Sequence, residues 1–151
     1  MYELVLLLHS WLRWGALIAA VLATLTAFGI KPGRDSGQAD KWGLIFMIML
    51  DLQMLLGLLL YFALSPATQA IFGDFGAAMR DPVARFWAVE HLTMMVVAVV
   101  LAHLGRILAR KARSPSSKRL RLLICFGLAT LLLFAGTPWP GMTAGRPFFR
   151  F

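Results

Sequence analysis

The sequence predicts an all-α protein, a transmembrane four-helix bundle with both termini outside. Hydrophobic residues make up 60% of the 151 residues, whereas a soluble domain has roughly 45–50%. They concentrate in four apolar stretches, at about residues 4–30, 42–64, 86–107 and 120–136, each long enough to cross roughly 30 Å of hydrocarbon. Apolar and polar residues do not alternate within these stretches, which argues against strands. We therefore predict that residues 1–151 form one transmembrane domain in contact with the lipid bilayer.

Each predicted span has a boundary that the sequence explains. The first span lacks a positively charged start and a clear cleavage site, so we expect it to remain in the mature protein. The second ends at Ser65-Pro66, and residues 67–80 are predicted to lie along the outer membrane surface. Pro82 separates that segment from the third span. The fourth span ends at residues 138–141, which read PWPG, because proline cannot continue the helical hydrogen-bond ladder.

Basic residues indicate the orientation of the bundle. The third connection contains no acid and holds Arg106, Arg110, Lys111, Arg113, Lys118, Arg119 and Arg121. The first connection holds Lys31, Arg34 and Lys41 against Asp35 and Asp40. An excess of Lys and Arg marks cytoplasmic connections, so these two connections are predicted to lie inside and both termini outside. Topology and contact with anionic lipid account for the basic residues, and no nucleic-acid partner is expected.

Aromatic residues crowd the predicted outer end. They are Trp11, Trp14, Trp87, Trp139, Phe86, Phe148, Phe149 and Phe151. An interfacial belt explains such residues singly. Their excess at one end also suits a flat cofactor or a partner that docks there.

Two histidines, His9 and His91, are predicted to lie at the same depth near that end, each about one to two helical turns inside its span. Ala16 and Ala20 share a helix face with His9, and Ala98 shares one with His91. Small residues mark faces where membrane helices pack closely. An ionisable side chain in a membrane helix needs a partner, a cavity or a cofactor. The pair therefore suits the axial ligands of a haem or another metal, and the alternative is a hydrogen bond across helices without a cofactor.

Arg13 and Glu90 are predicted to lie at a similar level. A salt bridge between them would lower the free energy of burying both. Alternatively, Arg13 would hold a haem propionate, or Glu90 beside His91 would accept protons from a quinol. Both residues are therefore candidates for the cofactor site, together with the two histidines.

Two further groups of residues carry alternatives. Asp51 and His103 fall in the inner half of the second and third spans and are expected to meet, as a structural pair or as a proton relay. The methionines near these positions and near His91 are Met47, Met49, Met54, Met94 and Met95. Thioether sulfur with imidazole suits copper(I), although methionine also fills ordinary cores.

Several segments resemble a known group of proteins. They are residues 8–14, 85–95, 103–106 and 138–141, which read LHSWLRW, RFWAVEHLTMM, HLGR and PWPG. The chain resembles small four-span bacterial membrane proteins, of the type found in Bacteroidota, that are often labelled cytochrome b. The resemblance implies haem b, respiratory electron transfer and a multi-pass location in the bacterial cytoplasmic (inner) membrane.

The first hypothesis is therefore a cytochrome b-like membrane protein that binds one haem b near the outer face, with quinol as a candidate electron donor. The second is a non-catalytic accessory subunit of a larger respiratory or photosynthetic complex, which would associate with other membrane subunits or with itself. The third is a copper-handling membrane protein. No phosphate-binding loop or thiolate cluster is present, which argues against nucleotide-dependent enzymes.

Topology gives the first testable prediction. Cysteines introduced at Ser36 and Ser116, in connections one and three, should be labelled only from the cytoplasmic side of the membrane. The excess of Lys and Arg in these connections is the reason. The measurement is labelling by a membrane-impermeant thiol reagent in intact cells and in inverted vesicles. Labelling of either position from outside intact cells would contradict the orientation.

Overall fold

A computed structural model describes residues 1–33 and 35–150. Arg34 and Phe151, which the sequence analysis counts among the basic and the aromatic residues, lie outside the described residues. The helices are α1 (Tyr2–Phe28), α2 (Gly37–Leu59), α3 (Pro66–Gly73), α4 (Phe75–Arg80), α5 (Pro82–Arg85), α6 (His91–Arg110) and α7 (Pro115–Gly136). A π-helical turn at Leu60–Leu64 continues α2, and another at Phe86–Glu90 joins α5 to α6. The described part of the chain contains no strand, so the all-α prediction is confirmed.

Four helical segments among the described residues are long and apolar enough to cross a membrane, as predicted. They are Tyr2–Phe28, Gly37–Leu64, Pro82–Arg110 and Pro115–Gly136. The last three begin four or more residues before the predicted spans. Capping explains two of these early starts: Asp81 accepts a hydrogen bond from the Ala84 backbone nitrogen at 2.7 Å, and Ser114 accepts one from that of Ser117 at 3.2 Å. A proline follows each cap at the first helical position, where its missing N–H has no structural consequence.

The four spanning helices form a ring in which α1 packs mainly against α2 and α7, and α6 also packs mainly against α2 and α7. Helices α1 and α6 therefore lie diagonally opposite each other. Successive spans run in opposite directions, so both termini lie at one end of the bundle. We call this the terminal end, and we call the other, which carries connections one and three, the basic end.

The half of the bundle nearer the basic end is closely packed through small residues. The buried small residues of α1 and α6 in this half are Ala16, Ala19, Ala20, Ala23, Ala27, Ala98, Ala102, Gly105 and Ala109. Phe126 of α7 fills the space between them and contacts Phe46 edge to face, with the ring centroids 5.6 Å apart. At the basic end itself, Lys118 Nζ donates to Asp40 Oδ2 at 2.6 Å. These contacts confirm that the predicted small-residue faces point into the bundle.

The half nearer the terminal end is more open and is covered by the second connection and the C-terminal tail. Residues 67–80, which the sequence predicts to lie along the outer membrane surface, form parts of α3 and α4 with a break at Asp74. The Asp74 carboxylate accepts a hydrogen bond from the Ala77 backbone nitrogen at 2.8 Å and so begins α4. After α7, residues 137–150 fold back across this end toward α1, which they reach at Trp11, Arg13 and Trp14.

Close packing in the basic half predicts a strong dependence on side-chain size. A Cβ atom at Gly105 would lie 2.8 Å from the Cβ of Cys125 and 3.1 Å from Phe126 Cε1. Because Cys125 Cβ is fixed to the backbone of α7, Gly105→Ala should separate the two helices and destabilise the fold by about 1–3 kcal/mol. The measurement is thermal unfolding in detergent.

Gly127→Ala is the matched control for Gly105→Ala. A Cβ atom at Gly127 meets no atom within 4 Å, and alanine favours a helix over glycine by about 0.5–1 kcal/mol. This variant should unfold at the wild-type temperature or above it. Equal effects of the two substitutions would show that the Gly105 contact does not limit helix packing.

Candidate functional site: a polar cavity at the terminal end

A cavity of about 230 Å³ opens in the terminal half of the bundle. Side chains from all four spanning helices and from the tail line it. His9 from α1 and His91 from the start of α6 both belong to its wall. The diagonal arrangement of α1 and α6 thus directs both imidazoles into one internal space, as their predicted common depth required.

The end of α7 determines how His91 is held. Pro138 prevents α7 from continuing, so the last carbonyl groups of that helix lack helical partners. His91 Nδ1 lies 2.7 Å from one of them, the carbonyl oxygen of Gly136. A carbonyl only accepts, so Nδ1 carries the proton and donates it. Neutral His91 therefore has its lone pair on Nε2, which is the tautomer and the backbone hydrogen bond typical of metal-binding histidines.

His9 is held by Gln53 of α2. The Gln53 amide nitrogen donates to the backbone carbonyl of His9 at 2.9 Å and lies 3.3 Å from His9 Nε2. Because an amide nitrogen only donates, Nε2 accepts and the proton of the neutral ring resides on Nδ1. The ring lies against Gly57, where an added Cβ would come within 3.2 Å of His9 Cε1. Both histidines thus carry their lone pair on Nε2.

Several buried polar atoms around the cavity have no hydrogen-bond partner among the described residues. They are His9 Nδ1, Arg13 Nε, Gln53 Oε1 and Trp87 Nε1. A buried unsatisfied polar group costs about 1–3 kcal/mol, and its cost rises in a membrane because the hydrocarbon offers no hydrogen bonds. All four atoms belong to residues that line the cavity, so the wall of the cavity is rich in polar side chains.

The charged residues in the described cavity wall are all arginines, namely Arg13, Arg146 and Arg150. Arg13 Nη2 donates to the carbonyl of Phe148 at 2.9 Å. The Arg146 guanidinium lies over the Trp87 ring, 5.2 Å from its centroid. No carboxylate belongs to the described wall, so the cavity is positively charged.

The predicted pairing of Arg13 with Glu90 is wrong. Glu90 accepts from Arg85 Nε at 2.8 Å, and both side chains are nearly half exposed. The π-helical turn at Phe86–Glu90 explains the difference, because residues five apart lie on the same side of a π-helix. Glu90 is therefore directed to its own helix, and it does not belong to the described wall of the cavity.

Three residues of the site were not predicted from the sequence. Gln53 is the first of them, and the available signal was that an amide in a membrane helix needs a partner as a histidine does. Arg146 and Arg150 lie in the tail, at the same predicted end as the two histidines. The available signal was the sequence of residues 146–150, RPFFR, in which two arginines flank aromatic residues near the end that carries both histidines.

Asp51 and His103 meet, as expected, at a distance from the cavity wall. His103 Nε2 lies 3.5 Å from Asp51 Oδ2, with side chains 40% and 46% exposed respectively. His103 Nδ1 also lies 3.0 Å from the carbonyl oxygen of Val99 and donates to it. Each of these two ionisable side chains thus has a partner within the protein, which lowers the cost of its exposure to lipid.

The donor atoms limit what the cavity can bind. Among the described residues, no three His, Cys, Asp or Glu side chains come together as a metal site. His9 and His91 would nevertheless be sufficient to hold a haem, which brings nitrogen donors of its own. Met54 and Met95 also line the cavity and add soft sulfur donors. The side chains present thus fit a haem, and their donor set also fits copper(I).

Comparison of the chain with profiles of known protein families, with curated proteins and with solved structures gives no match.

The contact between Asp51 and His103 gives a testable prediction. Asp51→Leu or His103→Leu alone should destabilise the protein, because each leaves an unpaired polar group in the membrane, whereas the double variant should recover part of the loss. The coupling free energy should fall in the range of about 0.5–3 kcal/mol. Unfolding of the four proteins in detergent measures it.

The control is the same cycle with Asp81 in place of Asp51. Asp81 caps α5 at the terminal end and lies about twenty residues before His103 on the same span, so its effect should be additive with that of His103. Strict additivity of Asp51 and His103 would contradict the pairing.

Proposed function

We propose that the chain is a cytochrome b-like membrane protein that binds one haem b in this cavity and serves electron transfer. The observation that carries the proposal is that His9 and His91, from diagonally opposite helices, line one cavity with their lone pairs on Nε2. Haem b would supply one-electron redox chemistry. With both imidazoles as its protein ligands, this group would suit electron transfer better than oxygen chemistry.

The residues around the histidines support this assignment. The Gly136 carbonyl fixes the ring orientation of His91 and increases the basicity of Nε2. The Gln53 amide holds the His9 backbone through its shorter contact, at 2.9 Å, and reaches Nε2 only at 3.3 Å. Release of the longer contact would free His9 Nε2 for iron. Leu50, Leu60 and Leu133 form part of the remaining wall and suit an apolar macrocycle.

The charge pattern supports a location of this site at the outer face of a bacterial cytoplasmic membrane. Lys and Arg concentrate at the basic end, which the positive-inside rule assigns to the cytoplasm. The resemblance of the LHSWLRW and AVEH segments to proteins labelled cytochrome b agrees with this function. In this arrangement a quinol in the membrane is a candidate electron donor.

Copper(I) binding is the second candidate function. Met54 and Met95 line the cavity together with His9 and His91, and thioether with imidazole donors suits copper(I). Met95 also packs against Gly136, where an added Cβ would come within 2.6 Å of Met95 Cε. Methionine in this wall is therefore also a packing residue, and for this reason haem is preferred.

An absorption spectrum tests the proposal. The purified full chain, prepared from cells supplied with haem precursor, should give the α-band of a low-spin b-type haem in a reduced-minus-oxidised difference spectrum. His9→Ala and His91→Ala should each abolish haem retention. His103→Ala is the matched control and should retain it, because His103 pairs with Asp51 outside the cavity.

Other outcomes would reject the proposal. Copper in metal analysis without a haem band would favour copper handling. Absence of both, in a protein that remains folded, would favour the accessory-subunit hypothesis. Loss of haem in the His103 variant alone would place the cofactor elsewhere.

A further inference from the structure

Hydrogen bonds hold the C-terminal tail in place near both of its ends. Near its start, Thr137 Oγ1 donates to the Leu133 carbonyl at 2.7 Å, and the backbone nitrogen of Arg146 donates to the Pro138 carbonyl at 3.0 Å. Near its end, the Phe148 carbonyl accepts from Arg13 Nη2 at 2.9 Å and from Trp14 Nε1 at 3.1 Å. The segment between these anchors is therefore held in one position across the terminal end.

Aromatic stacking strengthens the second anchor. The ring of Phe149 lies 5.5 Å from those of Trp11 and Trp14, measured between centroids. The Arg150 carbonyl also accepts from Trp11 Nε1 at 3.0 Å. Aromatic pairs of this kind stabilise a contact beyond what area burial alone contributes. The part of the tail next to Arg150 is thus fixed by backbone hydrogen bonds as well as by ring contacts.

This path places Arg146 and Arg150 in the cavity wall beside Arg13. Three like charges around one cavity repel each other, and none of the described acids belongs to the cavity wall. Asp74 and Asp81 cap helices, and Glu90 pairs with Arg85. An arginine cluster without an acid is typical of sites that bind carboxylate or phosphate groups.

The deeper wall of the same cavity is apolar. Leu17, Leu50, Leu92, Val99 and Leu133 line it. A ligand that satisfies the whole cavity therefore has an apolar body between the helices and one or more acidic groups at the tail. A small inorganic anion would leave the apolar wall unfilled, and a neutral apolar molecule would leave the arginines unpaired.

We propose that the C-terminal tail is an anion clamp, in which Arg146 and Arg150 join Arg13 to bind the acidic groups of an amphipathic ligand. The identity of that ligand rests on the proposed function: haem b carries two propionates and an apolar macrocycle. An acidic membrane lipid or fatty acid is the other source of the same chemistry. In this proposal the three arginines select a ligand that carries acidic groups. The two histidines bind its metal ion if it has one.

The experiment compares haem b with its dimethyl ester, which has the same iron and macrocycle but no carboxylates. The full chain in detergent should bind haem about tenfold to a hundredfold more tightly than the ester, since hydrogen bonds between charged groups are the strong ones. Arg146→Gln with Arg150→Gln should remove most of this preference while the α-band remains. Titration followed by absorption gives both affinities.

Two further variants separate the clamp from the folding of the tail. Arg146→Lys with Arg150→Lys retains both charges and should restore much of the preference. Arg80→Gln removes an exposed arginine from the same end, outside the cavity wall, and should leave the preference unchanged. A preference that is equal in wild type and in the Gln double variant would overturn the clamp and leave the haem proposal standing.

A third experiment tests the arginine cluster independently of haem binding. If neither porphyrin binds, oleate and methyl oleate are titrated instead and followed by tryptophan fluorescence, since Trp87 lines the cavity. Tighter binding of oleate that depends on Arg146 and Arg150 would uphold the clamp with a lipid as its source. Equal binding of the two, or a preference insensitive to both arginines, would overturn it.

Discussion

Close packing of the alanine faces of α1 and α6 against α2 and α7 is the interaction on which the rest of the structure depends. In lipid there is little hydrophobic force between helices, so their association relies on van der Waals contact, which small residues permit. Ala20, Ala23, Ala98 and Ala102 are completely buried. These contacts hold the four helices together in the basic half and limit how far they can separate. In the terminal half, larger side chains keep the same helices apart and surround the cavity.

Polar side chains in the terminal half are satisfied mainly by backbone carbonyls and less by one another. The carbonyl of Gly136, at the end of α7, accepts a hydrogen bond from His91. The carbonyl of Phe148, in the tail, accepts one from Arg13. Both acceptors exist because the helix stops at Pro138 and the chain turns back. A backbone acceptor fixes a ring or a guanidinium without neutralising its charge. The cavity therefore remains positive, and its histidines remain neutral and oriented.

The Asp51–His103 pair and the polar residues of the cavity differ in a way that matters for function. Asp51 and His103 are each other's partners at the exposed surface of the spans, so neither needs a ligand there. The cavity at the terminal end groups three arginines with unsatisfied atoms of His9 and Gln53. In the described wall, no acid offsets the charge of these arginines. For this reason the proposals on haem and on an acidic amphiphile concern the same cavity.

The sequence by itself determined the helical class and the four spans, because length and apolar composition are sufficient for a membrane helix. It also predicted the shared site of His9 and His91 and the meeting of Asp51 with His103, because depth follows from position along a helix. It did not predict the partner of Glu90, since a π-helical turn altered the register after Arg85. Nor did it identify Gln53, Arg146 and Arg150, whose positions depend on which helices are neighbours and on where the tail crosses the bundle. Only tertiary packing decides such contacts, because they join residues about 45 to 140 positions apart in the chain.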